Sequence, residues 1–105
     1  MKAFNNYLKS KGYSPRTVKD DLQNVTCFLL WYKHDDLQQQ AELTVPELVE
    51  YINSLQQREI SPQVINQRLR SIRKYYDYLA LEGYEISSFE KLKVKGQGKK
   101  KLLIR

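Results

Sequence analysis

Hydrophobic residues recur every three to four positions over two long stretches of the chain, and each stretch begins with Ser-Pro. The first follows Ser14 and the second follows Ser61, so the same frame returns after 47 positions. Apolar residues at this spacing share one face of an α-helix. A serine N-cap followed by proline is typical of a helix start. The pattern predicts two long helices, one over about 15–33 and one ending just before Gly83.

The apolar stripes of these two helices are expected to form the core, because each falls within a narrow sector at about 100° per residue. The first stripe comprises Val18, Leu22, Val25, Leu29 and Tyr32. The second comprises Ile65, Leu69, Ile72, Tyr76 and Leu79. Residues 27–32 are apolar almost all round, which predicts burial against several helices or partly against a partner. Within them, Cys27 is expected to be a buried structural thiol.

Two shorter helices and a loop complete the expected architecture. A short helix over about 2–11 ends at Gly12, and Thr44-Val45-Pro46-Glu47 forms a capping box that starts a helix ending near Gln57. The segment 34–43 has no hydrophobic period and is expected to be a loop. No stretch alternates with period two. The expected fold is all-α, a compact four-helix bundle made of two helical hairpins, with a basic C-terminal tail.

Composition limits the class of protein further. At 105 residues, 41% of them hydrophobic, the chain has material for one domain with one modest core. No run of 18 apolar residues is present, and the first six residues lack the apolar segment of a signal peptide. A cytoplasmic protein without a membrane span is therefore expected. The single cysteine excludes an internal disulfide.

Charge is unevenly distributed along the chain. The net charge is +6, and residues 91–105 contain seven basic residues and no acidic one. Residues 34–60 carry six carboxylates against one arginine, whereas residues 61–76 carry four basic residues and no acid. A small domain with this polarity is expected to turn one face toward a polyanion and the other away from it.

The outward faces of the two long helices and the tail carry the candidate binding residues. Arginine and lysine can contact phosphates, and asparagine and glutamine can also reach base edges. The candidates on the two helices are Arg16, Lys19, Gln23, Asn66, Gln67, Arg70, Arg73 and Lys74. Those in the tail are Lys95, Lys99, Lys100 and Lys101. A charged solubilising face is the competing interpretation of the helix positions.

Signals for catalysis, metals and cofactors are weak. His34 stands alone in a polar segment, and a metal site needs several His, Cys or carboxylate ligands. None of the eight tyrosines has a flanking pattern that supports a nucleophile. Gly96-Gln97-Gly98 neither follows a predicted strand nor opens a helix, so it does not predict a phosphate-binding loop. We expect no enzyme activity, no metal and no cofactor.

Several segments together resemble one family. Residues 14–17 (Ser-Pro-Arg-Thr), residues 69–79 and the basic tail are similar to the N-terminal core-binding domain of tyrosine recombinases, the phage integrase and Xer type. The most specific piece is 71–76, Ser-Ile-Arg-Lys-Tyr-Tyr, which resembles a stretch on that family's fourth helix. Where many members have tyrosine four residues after Thr17, this chain has Asp21.

The resemblance implies a four-helix SAM-like fold that binds double-stranded DNA as the non-catalytic half of a clamp. Its second and fourth helices would face the duplex. Residues 1–86 would be the core-binding domain, and 87–105 the linker toward a separate catalytic domain. His34 is not followed by the family's His-x-x-Arg pattern, so the chain is interpreted as a fragment of a larger recombinase. Other recombinase protomers would be partners in the full-length protein.

An alternative function of a different class stays open at this point. A helical protein–protein interaction module, SAM-like or death-domain-like, would use the apolar end of the first long helix and the acidic helix after Thr44 as its surface. It would associate with itself or with a partner independently of DNA.

Overall fold

Residues 1–86 are all-helical, which confirms the predicted fold class. The computed structural model describes these residues and two short strands at 93–94 and 103–104. The helices are α1 Lys2–Ser10, α2 Pro15–Tyr32, α3 Leu37–Ala41, α4 Val45–Gln57 and α5 Pro62–Leu81. The strands β1 Lys93–Val94 and β2 Leu103–Ile104 pair antiparallel, with Lys93 opposite Ile104 and Val94 opposite Leu103.

The two long helices start as the repeated Ser-Pro frame predicts. The Ser14 hydroxyl accepts a hydrogen bond from the Thr17 backbone N–H at 3.2 Å, and the Ser61 hydroxyl accepts one from the Val64 N–H at the same distance. Proline follows each cap, where its missing N–H leaves no helical bond unmade. Lys33 stops α2 in the left-handed conformation, with φ of 60°. These local signals make the bounds of α2 and α5 readable from sequence.

The expected loop over 34–43 is wrong in part, because α3 lies within it. The side chain of Gln40 is buried, donates to the His34 carbonyl at 2.7 Å and accepts from the Tyr75 hydroxyl. The Gln40 carbonyl accepts from the Tyr76 hydroxyl at 2.6 Å. The helix is therefore stabilised by contacts with α5. Five residues are too few to show a helical period, so the bundle has five helices over residues 1–86 rather than the predicted four.

The core stripe of α5 is confirmed, since all five of its predicted members are buried. In α2 the buried sector is rotated from the prediction. Val18 and Val25 are buried as expected, but Asp21 and Phe28 join them, while Leu22, Leu29 and Tyr32 are only partly buried. The prediction of a buried Cys27 is wrong, because this residue is exposed. α2 therefore packs through a sector that includes a carboxylate.

The helices pack mainly around the two long ones. α2 packs against α5 and α1, and α5 also packs against α1 and α4. The predicted division into two hairpins stays a prediction. Within the part of the chain that the structure describes, no helix has the length and apolar character needed to cross a bilayer.

Candidate nucleic-acid interface

The seam between α2 and α5 positions the candidate residues. Asp21 and Lys74 form a salt bridge with Oδ2 and Nζ 2.8 Å apart, and the Asn24 side-chain amide donates to the Ser71 hydroxyl at 3.0 Å. Moving three residues forward along α2, from Asp21 to Asn24, moves the contact three residues back along α5. The two helices therefore run in opposite directions past each other.

The two copies of the internal repeat meet at this seam. Asn24 and Ser71 are 47 residues apart, which is the offset of the Ser-Pro frame, so they occupy equivalent positions of the repeat. The two helices therefore meet through equivalent parts of the repeated frame.

Tyr51 of α4 lies near the other end of this seam. The repeat equivalents of Lys74 and Asp21 are Cys27 and Arg68. Burial raises the pKa of the Tyr51 hydroxyl, the Arg68 guanidinium opposes that rise, and Cys27 adds to it. Tyr51 therefore interacts electrostatically with both long helices.

The candidate residues of α2 and α5 lie outside the buried sectors of their helices. At about 100° per residue, they lie largely opposite the buried stripe of each helix. The repeat equivalents of Arg16, Lys19 and Gln23 in α2 are Gln63, Asn66 and Arg70 in α5.

Exposure of the candidate side chains varies along this surface, which we call the paired-helix face. It consists of the α2 and α5 candidates predicted from sequence. The side chain of Arg16 is 88% exposed, and the exposed members also include Lys19, Gln23, Gln67 and Arg70. Asn66 and Arg73 are partly buried, and both take part in interactions within the protein. The exposed cations are available to a polyanion.

Lys74 differs from the other cations of the paired-helix face. Its side chain is only 23% exposed, and its ammonium lies between the Asp21 carboxylate and the Tyr13 ring, 4.1 Å from the ring centroid. The other oxygen of Asp21 accepts from the Ser71 hydroxyl at 2.6 Å. Sequence reasoning placed Lys74 among outward residues because it treated each helix separately. The sequence feature that could have indicated the ion pair is Asp21, an acidic residue next to the apolar stripe of α2.

Exposed carboxylates also lie on the outward sectors of α2 and α5. Asp20 lies 4.0 Å from Arg16, and both side chains are well exposed, so this ion pair contributes little to stability. The other exposed acid of the two helices' outward sectors is Asp77, near the C-terminal end of α5. The N-terminal and middle parts of α5 retain the acid-free character that the sequence shows.

Glu47, one of the acidic residues in 34–60, stabilises contacts within the fold. Glu47 closes the capping box of α4: its carboxylate accepts from the Thr44 backbone N–H at 2.9 Å, which lowers the pKa of Glu47. The same carboxylate accepts from the Tyr32 hydroxyl at 3.0 Å, and burial together with this bond raises the pKa of Tyr32 to about 12. Glu47 therefore joins the start of α4 to the end of α2.

Two further questions raised by the sequence concern a metal site and the lysines of the C-terminal tail. Across residues that the structure describes, no three His, Cys, Asp or Glu side chains come together as a metal site would require. The tail candidates Lys95, Lys99, Lys100 and Lys101 lie outside the described residues, between β1 and β2 in the sequence. Their contacts stay predictions.

Comparison with known proteins identifies the family. Residues 1–86 match the family described as phage integrase, N-terminal SAM-like domain. The chain belongs to this family. That match spans all five helices and the whole paired-helix face, so the resemblance seen in the Ser-Pro frame and the 71–76 stretch is confirmed.

A curated relative extends the comparison. Over 82 residues the chain is 28% identical to tyrosine recombinase XerC of Oceanobacillus iheyensis, an alignment that covers 77% of this chain and 27% of that protein. The chain thus corresponds to about a quarter of that relative's length. No solved structure matches significantly.

Proposed function

We propose that this chain is a duplex-DNA-binding domain of a site-specific tyrosine recombinase or integrase, acting in DNA integration and recombination. The observation that carries the proposal is the pairing of α2 with α5 through the Asn24–Ser71 and Asp21–Lys74 contacts, since both helices carry exposed Arg, Lys and Gln side chains outside this seam. Membership of the integrase N-terminal family supports it. A single surface of this composition suits a phosphate backbone with limited base readout.

Each residue type has its own role in this proposal. Arg16, Lys19, Arg70 and Arg73 contact phosphates, which sets the register of the domain on the duplex. Gln23, Asn66 and Gln67 reach base edges in a groove. Lys95, Lys99, Lys100 and Lys101 contact phosphates beside the helical body. Lys74, grouped with these residues on sequence grounds, is paired with Asp21 in the free domain.

The domain contributes binding rather than chemistry. We propose that it forms the non-catalytic half of a DNA clamp in the cytoplasm, and that a separate catalytic domain of the recombinase performs strand exchange together with other protomers. The coverage of the XerC relative, 27% of its length, is consistent with a domain of a larger protein. No cofactor has a role in this function.

Fluorescence anisotropy with labelled duplex DNA tests the proposal. We expect the 105-residue chain to bind with Kd of about 10⁻⁴–10⁻⁶ M, with log K falling steeply as log salt rises. The Lys19→Ala/Arg70→Ala variant should reduce the salt slope by about 1.8, because two phosphate contacts are lost at about 0.9 each.

The matched control is Lys9→Ala/Arg58→Ala, which removes the same charge from exposed positions outside α2 and α5. It should keep the parent slope. Equal slopes for all three proteins would contradict the assignment of the paired-helix face, and an absence of any duplex binding at low salt would contradict the function itself.

One observation favours a second candidate, the protein–protein interaction module. Leu30 is 70% exposed on α2, one turn after the exposed Cys27, and so provides an apolar point outside the core. Sedimentation velocity separates the two functions. Self-association that occurs without DNA, survives removal of residues 91–105 and is lost in Leu30→Ser would favour the second candidate.

A further inference from the structure

We propose that Asp21 holds Lys74 away from DNA and thereby lowers the affinity of the domain for duplex phosphates. This inference rests on the proposed function, because it concerns which cations of the paired-helix face reach the nucleic acid. It assigns a determinant of affinity to a buried residue that does not itself touch DNA.

The contacts of Asp21 carry the inference. Its side chain is 7% exposed, and its two oxygens have separate partners on α5: Ser71 at 2.6 Å and Lys74 at 2.8 Å. The hydroxyl of Ser71 also accepts from the Asn24 amide at 3.0 Å. The carboxylate therefore lies in a polar network across the seam, and Lys74 supplies the positive charge that balances it.

Lys74 is placed to reach DNA only if this pair breaks. It follows Arg70 by four residues in α5, so the two side chains start from the same face of the helix. A lysine stem of four carbons can carry the ammonium out to the surface. Instead the ammonium is covered by the carboxylate on one side and by the Tyr13 ring on another.

The balance of charges favours the internal pair. Moving the ammonium to a phosphate would leave the Asp21 carboxylate buried without a counter-charge, which is a large cost. An exposed contact between the lysine and a phosphate contributes less free energy than this cost, because water and salt screen it. Lys74 therefore stays with Asp21 when the domain is on DNA, and its charge does not add to the counterions that binding releases.

Salt-dependent anisotropy on Asp21→Asn tests the inference. Asparagine keeps an oxygen that can accept from Ser71 but removes the charge that holds Lys74. We expect tighter binding at low salt and a slope of log K against log salt that is steeper by about 0.9, the value for one added phosphate contact. The double variant Asp21→Asn/Lys74→Met should lose this gain.

The matched control is Glu50→Gln, which removes one exposed carboxylate on α4 and so changes the net charge equally without releasing a lysine. Its slope should equal that of the parent. The inference is overturned if Asp21→Asn keeps the parent slope, or if its gain persists in the double variant. Absence of duplex binding by the parent would overturn the proposed function as well.

A measurement on the unmodified protein keeps the test decisive if Asp21→Asn does not fold. Acetylation of lysine amines by an N-hydroxysuccinimide ester, followed by mass spectrometry, compares Lys74 with the exposed Lys19. We expect Lys74 to react more slowly in the free protein, and duplex DNA to protect Lys19 but not Lys74. Equal protection of the two amines by DNA would overturn the inference.

Discussion

At the residue scale, buried polar groups decide how the helices meet. Asp21, Gln40 and Ser71 are buried, and each has hydrogen-bond partners on another element. A buried polar group without a partner is costly, so these residues permit only arrangements in which their partners are in reach. The Asp21 pair acts in this way between α2 and α5, and Gln40 does so between α3 and α5.

Removing either member of the Asp21–Lys74 pair should have unequal effects on stability. Lys74→Ala leaves a nearly buried carboxylate unpaired, and we expect it to lower the free energy of unfolding by up to about 3–5 kcal/mol, the range for a broken buried pair. Asp21→Asn should cost less, because the freed ammonium can move into water. Urea denaturation measures both.

The double variant Asp21→Asn/Lys74→Met distinguishes this account from simple loss of packing. It should be more stable than the single variant Lys74→Met, since no charge is left buried. Losses that simply add across Asp21→Asn and Lys74→Met would contradict the account.

At the element scale, capping determines where the helices begin. The hydroxyls of Ser14, Thr44 and Ser61 each accept from a backbone N–H three residues ahead, and proline lies in the first turn of all three helices. Caps act over a few residues, so the starts of α2, α4 and α5 could be predicted from sequence. α3 could not, because its short length gives no period and Gln40 depends on tertiary partners.

The capping box of α4 predicts a pH dependence of stability. The pKa of Glu47 is lowered in the fold, chiefly by the Thr44 backbone N–H. Its contribution is therefore complete above the pKa of the unfolded state, about 4.3, and is lost as pH falls through the lower folded value. Thermal unfolding between pH 7 and pH 3 should show this loss in the parent.

Glu47→Gln is the matched comparison, since glutamine can still accept from the Thr44 N–H but does not titrate. The difference in melting temperature between the parent and Glu47→Gln should be largest near pH 7 and shrink toward pH 3. A difference that does not change with pH would show that the carboxylate charge has no part in the cap.

At the scale of the whole molecule, the internal repeat organises both core and surface. The same helical frame occurs twice, and the two copies meet at Asn24 and Ser71. Six of the twelve acidic residues lie between the copies, in residues 34–60, where Glu47 closes the capping box of α4. Basic and acidic residues are therefore concentrated in different segments of the chain.

Removal of residues 87–105 should separate folding from part of the binding. The core residues identified here all lie within 1–86, so we expect the 1–86 chain to retain its helical circular dichroism and a cooperative thermal transition. Its salt slope for duplex DNA should fall, because the proposed tail lysines no longer reach phosphates. An unchanged salt slope would show that the tail lysines do not contact the DNA phosphates.

The amino-acid sequence alone determined the helix starts, the core stripe of α5, the charge polarity and the family, because caps, periodicity and motifs are local properties. The tertiary structure alone decided that Cys27 is exposed, that Gln40 anchors an extra helix and that Lys74 pairs with Asp21. Periodicity describes one helix at a time, whereas burial and ion pairing depend on the neighbour against which each face packs.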